Sequence, residues 1–110
     1  MKILVVDDHR ALAYLFGEVL EGSGHEVRVA YSPVAALDVL EGGFVPEILL
    51  SDIHMPMMSG IELASVVEER VPGIKIVLMS GDFDPPMEMK AGWLFFSKTI
   101  PQEMMEKIGI

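Results

Sequence analysis

Cysteine is absent from the chain, and basic residues are scarce. Without cysteine the chain can form neither a disulfide framework nor a thiolate metal site. It carries 17 acidic side chains against 8 lysine and arginine residues, a formal net charge of −9 at pH 7. A protein that binds nucleic acid directly, or one held on an anionic membrane, needs a basic surface. The sequence therefore argues against both kinds of partner.

Long apolar runs are also missing. No stretch approaches the ~18 residues that a membrane-spanning helix requires. The stretch at 1–6 resembles the start of a secretory signal, but Asp7 and Asp8 interrupt it too early. We therefore expect a cytoplasmic protein, an expectation to which the lack of cysteine adds little.

The chain is rich enough in apolar residues for one folded domain. Its 110 residues are 51% hydrophobic, which excludes disorder as the main interpretation. A chain of this length buries roughly two-thirds of its unfolded surface. We predict a single domain over residues 1–110, without repeats or an internal linker.

Short apolar runs alternate with segments of helical periodicity. The third run, Ile48–Leu50, is apolar without alternation, which is typical of a strand buried on both faces of a parallel sheet. The intervening segments carry apolar residues at spacings of three and four, as amphipathic helices do. Such alternation predicts a three-layer α/β fold with a parallel sheet and right-handed crossovers. The predicted strands lie at 3–6, 27–29, 48–50, 74–79 and 93–96.

Polar residues indicate where the helices begin. Ser, Thr and Asp are favoured N-caps, and a Glu or Gln three positions later strengthens the signal. Four such signals are present: Asp8, Ser32-Pro33, Ser59 with Glu62, and Thr99 with Gln102. Between the fourth and fifth strands, Pro85-Pro86 can start a helix but cannot continue one. We expect at most one or two helical turns there.

Polar residues also follow four of the predicted strands. The first strand ends at Asp7 and Asp8, the third at Asp52, the fourth at Ser80 and the fifth at Lys98. The carboxyl ends of parallel strands share one edge of the sheet, where ligands bind in open α/β folds. Each residue has a structural alternative as a turn former, loop hydroxyl or solvated charge. Their joint occurrence at one edge favours a functional site.

Three carboxylates at one edge repel each other, by about 1 kcal/mol per pair at 4 Å in water and about 4 at an effective dielectric of 20. Lys98 offsets part of this charge. Mg²⁺, with Mn²⁺ as an alternative, would offset more, and the backbone carbonyl of His54 could add a ligand. Asp52 could then attack phosphorus while Lys98 and the Ser80 hydroxyl hold phosphoryl oxygens.

Four motifs occur in a set order along the chain. They are Val6-Asp7-Asp8, Ser51-Asp52-Ile53-His54-Met55-Pro56-Met57-Met58-Ser59-Gly60-Ile61-Glu62-Leu63, Met79-Ser80-Gly81 and Ser97-Lys98. Together they resemble the receiver domain of two-component response regulators, over essentially the whole chain. The resemblance implies a flavodoxin-like sheet of five strands in the order 2-1-3-4-5.

The resemblance also implies roles for individual residues. Asp52 would be the phosphoacceptor, with a histidine kinase or a histidine phosphotransfer domain as donor. Asp8, Asp52 and the carbonyl of His54 would ligate Mg²⁺, and Asp7 would act largely through a bound water. Such a domain is not a conventional enzyme. It catalyses its own aspartyl phosphorylation and dephosphorylation and switches a surface for an unidentified downstream protein.

The implied switch couples Ser80 to an aromatic residue three positions before the lysine, here Phe95. Phosphorylation would draw the Ser80 hydroxyl toward the phosphoryl group, and the ring would turn inward. Because phenylalanine has no hydroxyl, the bias would come from packing alone. The alternative role for Phe95 is that of an ordinary core aromatic.

Three features depart from the family pattern. Ser80 and Lys98 are 18 positions apart, which is shorter than usual, so a shortened or irregular fourth helix is expected. Thr99 replaces the proline that usually follows the lysine, which leaves the geometry of that peptide open. The last helix is short, and Ser59 stands where the family usually has aspartate.

Other functions fit part of the pattern. An interaction module that is never phosphorylated would suit a shortened fourth helix but not the intact acidic set. A metal-dependent phosphohydrolase usually needs a carboxylate two residues past the nucleophile, where this chain has His54. A flavin protein is disfavoured because Asp7 and Asp8 would repel the cofactor's phosphate. The chain is interpreted as a single-domain regulator or as a receiver from a longer protein.

Overall fold

The computed structural model describes residues 1–81 and 89–110. These residues form one sheet of five parallel strands, ordered β2-β1-β3-β4-β5, which confirms the predicted fold class and strand order. The strands are β1 (Lys2–Val6), β2 (Glu26–Ala30), β3 (Ile48–Asp52), β4 (Lys75–Ser80) and β5 (Leu94–Ser97). The helices among these residues are α1 (Arg10–Gly22), α2 (Pro33–Glu41), α3 (Gly60–Arg70) and α4 (Pro101–Ile108).

The sheet separates two apolar layers. Leu49 and Leu78 face one layer, which α2 and α3 complete. Leu50 and Val77 face the other, which α1 and α4 complete. The central strand β3 is buried along its whole length, as its uninterrupted apolar run predicts.

Two of the four predicted helix caps form as expected. The Ser32 hydroxyl caps α2, and Ser59 caps α3 in a capping box with Glu62. The prediction that Asp8 caps α1 is wrong. His9 is the N-cap residue, and its Nδ1 accepts a hydrogen bond from the backbone N–H of Leu12 at 3.2 Å. The cap of α1 therefore leaves the Asp8 carboxylate to the adjoining acidic cluster.

The predicted cap of the last helix is also wrong. The N-cap of α4 is Ile100, which makes no side-chain hydrogen bond, while the Thr99 hydroxyl pairs with the carboxylate of Glu103. The helix nonetheless buries Met104 in the layer that it shares with α1. The Lys98–Thr99 peptide, whose geometry the sequence left open, is trans.

The predicted irregular fourth helix falls mainly on residues 82–88, which lie outside the described residues. Just beyond them, the backbone N–H of Trp93 donates to the carbonyl of Lys90 at 3.2 Å and closes a turn. The Trp93 indole also donates to Glu68 of α3 at 3.0 Å, which holds the entry to β5 against that helix. Over the ranges the structure describes, no helix is long and apolar enough to cross a bilayer.

Candidate functional site

The carboxyl edge of the sheet brings together the three aspartates that follow β1 and end β3. One carboxylate oxygen from each of Asp7, Asp8 and Asp52 lies within 4.8 Å of the others. Asp7 is 1% exposed and Asp52 4% exposed, whereas Asp8 faces solvent. The cluster therefore has a buried floor and one accessible carboxylate, an all-oxygen donor set of the kind that hard divalent cations prefer.

Lys98 faces the cluster from the end of β5. Its Nζ lies 3.4 Å from Oδ2 of Asp7 and 3.5 Å from Oδ1 of Asp52. Its backbone N–H donates to the carbonyl of Ser80 at 2.7 Å, which ties the ends of β4 and β5 together. The ammonium thus contacts two of the three carboxylates, and the group of four remains negative when all are ionised.

The structure places the other predicted residues at or near the same edge. Ser80 is buried at the end of β4, one residue beyond the position that pairs with Asp52. His54 is exposed in the loop that follows β3. Phe95 is half-buried in β5, beside Leu78, against the layer formed by α2 and α3.

One contact to Asp7 was not foreseen from the sequence. The backbone N–H of His9 donates to Oδ1 of Asp7 at 2.9 Å, the turn that an aspartate two residues upstream commonly makes. Oδ2 of the same carboxylate is buried and has no hydrogen-bond partner among the described residues. Its cationic neighbour is Lys98. A buried oxygen in this condition fits a nearby metal ion or metal-bound water.

Burial raises the pKa of Asp52 above its ordinary value. Loss of hydration is the largest cause, and repulsion from Asp7 adds to it. Attraction to Lys98 opposes both, and Asp8 contributes a smaller repulsion. Ionised Asp52 is therefore less stable here than it would be in water. A cation bound beside the carboxylate would have the opposite effect and lower its pKa.

Gly60 packs against the backbone of Asp52, a contact that the sequence did not reveal. Its N–H donates to the carbonyl of Ile53 at 2.8 Å. A Cβ atom at this position would lie 2.1 Å from the backbone oxygen of Asp52. Only glycine therefore lets α3 begin so close to the end of β3. A glycine directly after the Ser59 cap was the one available signal.

Comparison with known proteins identifies related sequences. A family model described as the response regulator receiver domain matches residues 3–107. The transcriptional regulatory protein CpxR of Escherichia coli K12 is 33% identical over 93 residues, which are 83% of this chain and 39% of CpxR. Sporulation initiation phosphotransferase F of Bacillus subtilis 168 is 31% identical over 91 residues, 81% of this chain and 73% of that protein. The chain thus spans about two-fifths of CpxR but most of the phosphotransferase.

Solved structures share the fold. A CheY-like receiver domain protein from Methanospirillum hungatei JF-1 has a TM-score of 0.86 at 30% identity, and the match covers 98% of this chain and 90% of that one. The response regulator TrrA of Thermotoga maritima, solved in complex with Mg²⁺-BeF, has a TM-score of 0.84 at 28% identity. That match covers 98% of this chain and 96% of TrrA.

The raised pKa of Asp52 predicts that Asp52→Asn stabilises the metal-free protein at neutral and alkaline pH. An ionised group whose folded-state pKa lies above its unfolded value destabilises the fold at high pH, and the effect disappears below the unfolded pKa. In EDTA at about pH 8 we expect a free energy of unfolding higher by about 1 kcal/mol, the size of one like-charge contact in water. At about pH 3.5, below the ordinary carboxyl pKa, the difference should vanish.

Urea denaturation at both pH values measures this difference, and the exposed Asp38 of α2 offers a control. Asp38→Asn should change the free energy of unfolding by less than about 0.5 kcal/mol. A less stable Asp52→Asn protein at about pH 8, or a difference independent of pH, would contradict the electrostatic description of the cluster.

The close approach at Gly60 predicts a large penalty for Gly60→Ala. The added Cβ cannot be accommodated unless α3 moves away from Asp52, so we expect a loss of about 3 kcal/mol in the free energy of unfolding. Gly22, at the end of α1, is the matched control, because a Cβ there meets nothing within 4 Å. Gly22→Ala should instead raise stability by about 0.5–1 kcal/mol. Similar denaturation midpoints for the two variants would show that the contact at Gly60 is unimportant.

Proposed function

The chain belongs to the response regulator receiver family, and from this premise we propose that Asp52 accepts a phosphoryl group from a phosphohistidine. Receiver domains of this family act in two-component signalling and interact with histidine kinases and downstream effectors. The observation that carries the proposal is the position of Asp52, buried beside Asp7 and Asp8 with the Lys98 ammonium 3.5 Å from its Oδ1.

In the proposed reaction Oδ1 or Oδ2 of ionised Asp52 attacks phosphorus. A new O–P bond forms as the P–N bond to the donor imidazole breaks, and the imidazole nitrogen keeps the electron pair. The Lys98 ammonium, already beside Oδ1, would bind a phosphoryl oxygen, and the Ser80 hydroxyl would bind another. These groups act by position and charge, as phosphoryl transfer requires.

Asp8, Asp52 and the carbonyl of His54 are the groups that would hold Mg²⁺ or Mn²⁺, and Asp7 would act through a water. When bound, the cation neutralises part of the carboxylate charge and stabilises negative charge on the phosphoryl oxygens. The buried Oδ2 of Asp7 and the all-oxygen donor set support this assignment. TrrA, which shares the fold, was solved with Mg²⁺ and BeF.

The output of the domain would depend on Ser80 and Phe95. Leu78 pairs with Phe95 and Ser80 pairs with Ser97, so the hydroxyl and the ring lie on adjacent strands two residues apart. Movement of the Ser80 hydroxyl toward a phosphoryl group would change the packing beside Phe95. A downstream protein would read the altered surface, and the domain would reset by hydrolysing its own aspartyl phosphate.

The proposal predicts that Mg²⁺ and phosphoramidate, a small donor with a P–N bond, add one phosphoryl group to the protein. Intact mass spectrometry should show this addition in the parent and in the Asp38→Asn control. Asp52→Asn should show none, because it lacks the attacking carboxylate, and EDTA should suppress labelling of the parent and of Asp38→Asn. Labelling of Asp52→Asn at the rate of the parent would refute Asp52 as the phosphoacceptor.

A further inference from the structure

Met57 has a conformation and an exposure that packing does not explain. Its φ is +75°, a region that side chains other than glycine seldom adopt. Across it the N–H of Met58 donates to the carbonyl of Pro56 at 2.9 Å, which closes a γ-turn of the strained hand. The Met57 side chain is 97% exposed. Neither backbone preference nor burial favours methionine at this position.

The residues that flank Met57 are anchored. Met55 and Met58 pack against the buried layer between the sheet and helices α2 and α3. At the ends of the loop, the hydrogen bond from Gly60 to Ile53 joins the start of α3 to the end of β3. The inward methionines hold the loop in place, so the strained turn presents Met57 outward in a set position.

This loop begins directly after the proposed phosphoacceptor. Asp52 is 4% exposed, so a phosphohistidine must enter from above the carboxyl edge of the sheet. Transfer requires the reacting atoms to approach within about 3–3.5 Å. A donor protein that comes so close would contact the loops that leave the carboxyl ends of the strands, and the loop between β3 and α3 carries Met57. A flexible, polarisable thioether adapts well to an apolar surface of such a partner.

We propose that Met57 is a donor-recognition residue that contacts an apolar recess on the phosphohistidine-bearing protein. The inference rests on the proposed function of Asp52 and adds a reason for the strained turn. Because the carboxyl edge of the sheet is acidic, an apolar contact there adds affinity for the donor protein without adding charge repulsion. A backbone outlier beside a reactive group is where strain is expected to serve function.

Three variants separate the side chain from the backbone strain. Met57→Gly removes both, Met57→Ala removes the thioether but keeps a Cβ, and Met57→Leu keeps the apolar bulk. Val45→Ala is the matched control, because Val45 is also an exposed apolar side chain, at 59%, but precedes β3 at the opposite edge. A panel of autophosphorylated histidine-kinase domains is first tested on the parent, and the kinase that transfers fastest is kept. Each variant is then phosphorylated in two assays, one with phosphoramidate and one with that kinase.

We expect Met57→Gly and Met57→Ala to lower kcat/KM for transfer from the kinase by about tenfold, the effect of losing a strong interface contact. Met57→Leu should stay within about threefold of the parent, as a volume-conserving apolar swap allows. Val45→Ala should match the parent, and labelling by phosphoramidate should be equal in all four variants. Met57→Gly should also raise Tm by a few degrees, whereas Met57→Ala should not, because only glycine relieves the strain.

Unchanged transfer from the kinase to Met57→Gly would overturn the inference, and so would an equal loss with phosphoramidate. Failure of every kinase to label a protein that phosphoramidate does label would overturn it as well. Absence of phosphoramidate labelling in the parent would instead refute the proposed function itself.

Discussion

Three carboxylates and one ammonium share one edge of the sheet, and the rest of the structure is arranged around this imbalance of charge. Asp7 and Asp52 are withdrawn from water, which removes the hydration that would otherwise screen them. Lys98 contacts both but carries a single charge. The site is therefore electrostatically unfavourable in the absence of further positive charge, and a divalent cation bound at the carboxylates would compensate for it.

Backbone contacts of the fold hold this arrangement together. Parallel pairing sets the ends of β1, β3, β4 and β5 at one edge. The N–H of His9 holds one oxygen of Asp7, and the same residue caps α1. Gly60 lets α3 begin against the backbone of Asp52. The contacts that start the two helices thus also position two of the carboxylates, so helix geometry and site geometry change together.

Much of the fold could be predicted because its signals are local. The apolar runs that form the strands, and the Ser59–Glu62 capping box, depend on short stretches of sequence. The choice between Asp8 and His9 as the cap of α1 does not, because in the folded chain the Asp8 carboxylate lies in the acidic cluster while His9 caps the helix. Thr99 does not cap α4, and its hydroxyl instead donates a hydrogen bond to the carboxylate of Glu103. Such competitions between neighbouring groups are settled by tertiary geometry.

The candidate site was predictable for a different reason. The carboxyl ends of parallel strands lie at one edge of the sheet, so the positions of the strands in the sequence are enough to bring Asp7, Asp52 and Lys98 together. The close approach at Gly60 and the left-handed backbone of Met57 could not, because each depends on how a loop returns to the sheet. The roles of Ser80 and Phe95 remain predictions.

Isothermal titration of Mg²⁺ into the parent and into Asp8→Asn tests the central claim most directly, because Asp8 is the accessible carboxylate of the cluster. If the acidic edge is balanced by a divalent cation, the parent should bind one Mg²⁺ ion, and loss of the Asp8 charge should weaken that binding about tenfold or more. No binding to the parent, or equal binding to both proteins, would contradict the account.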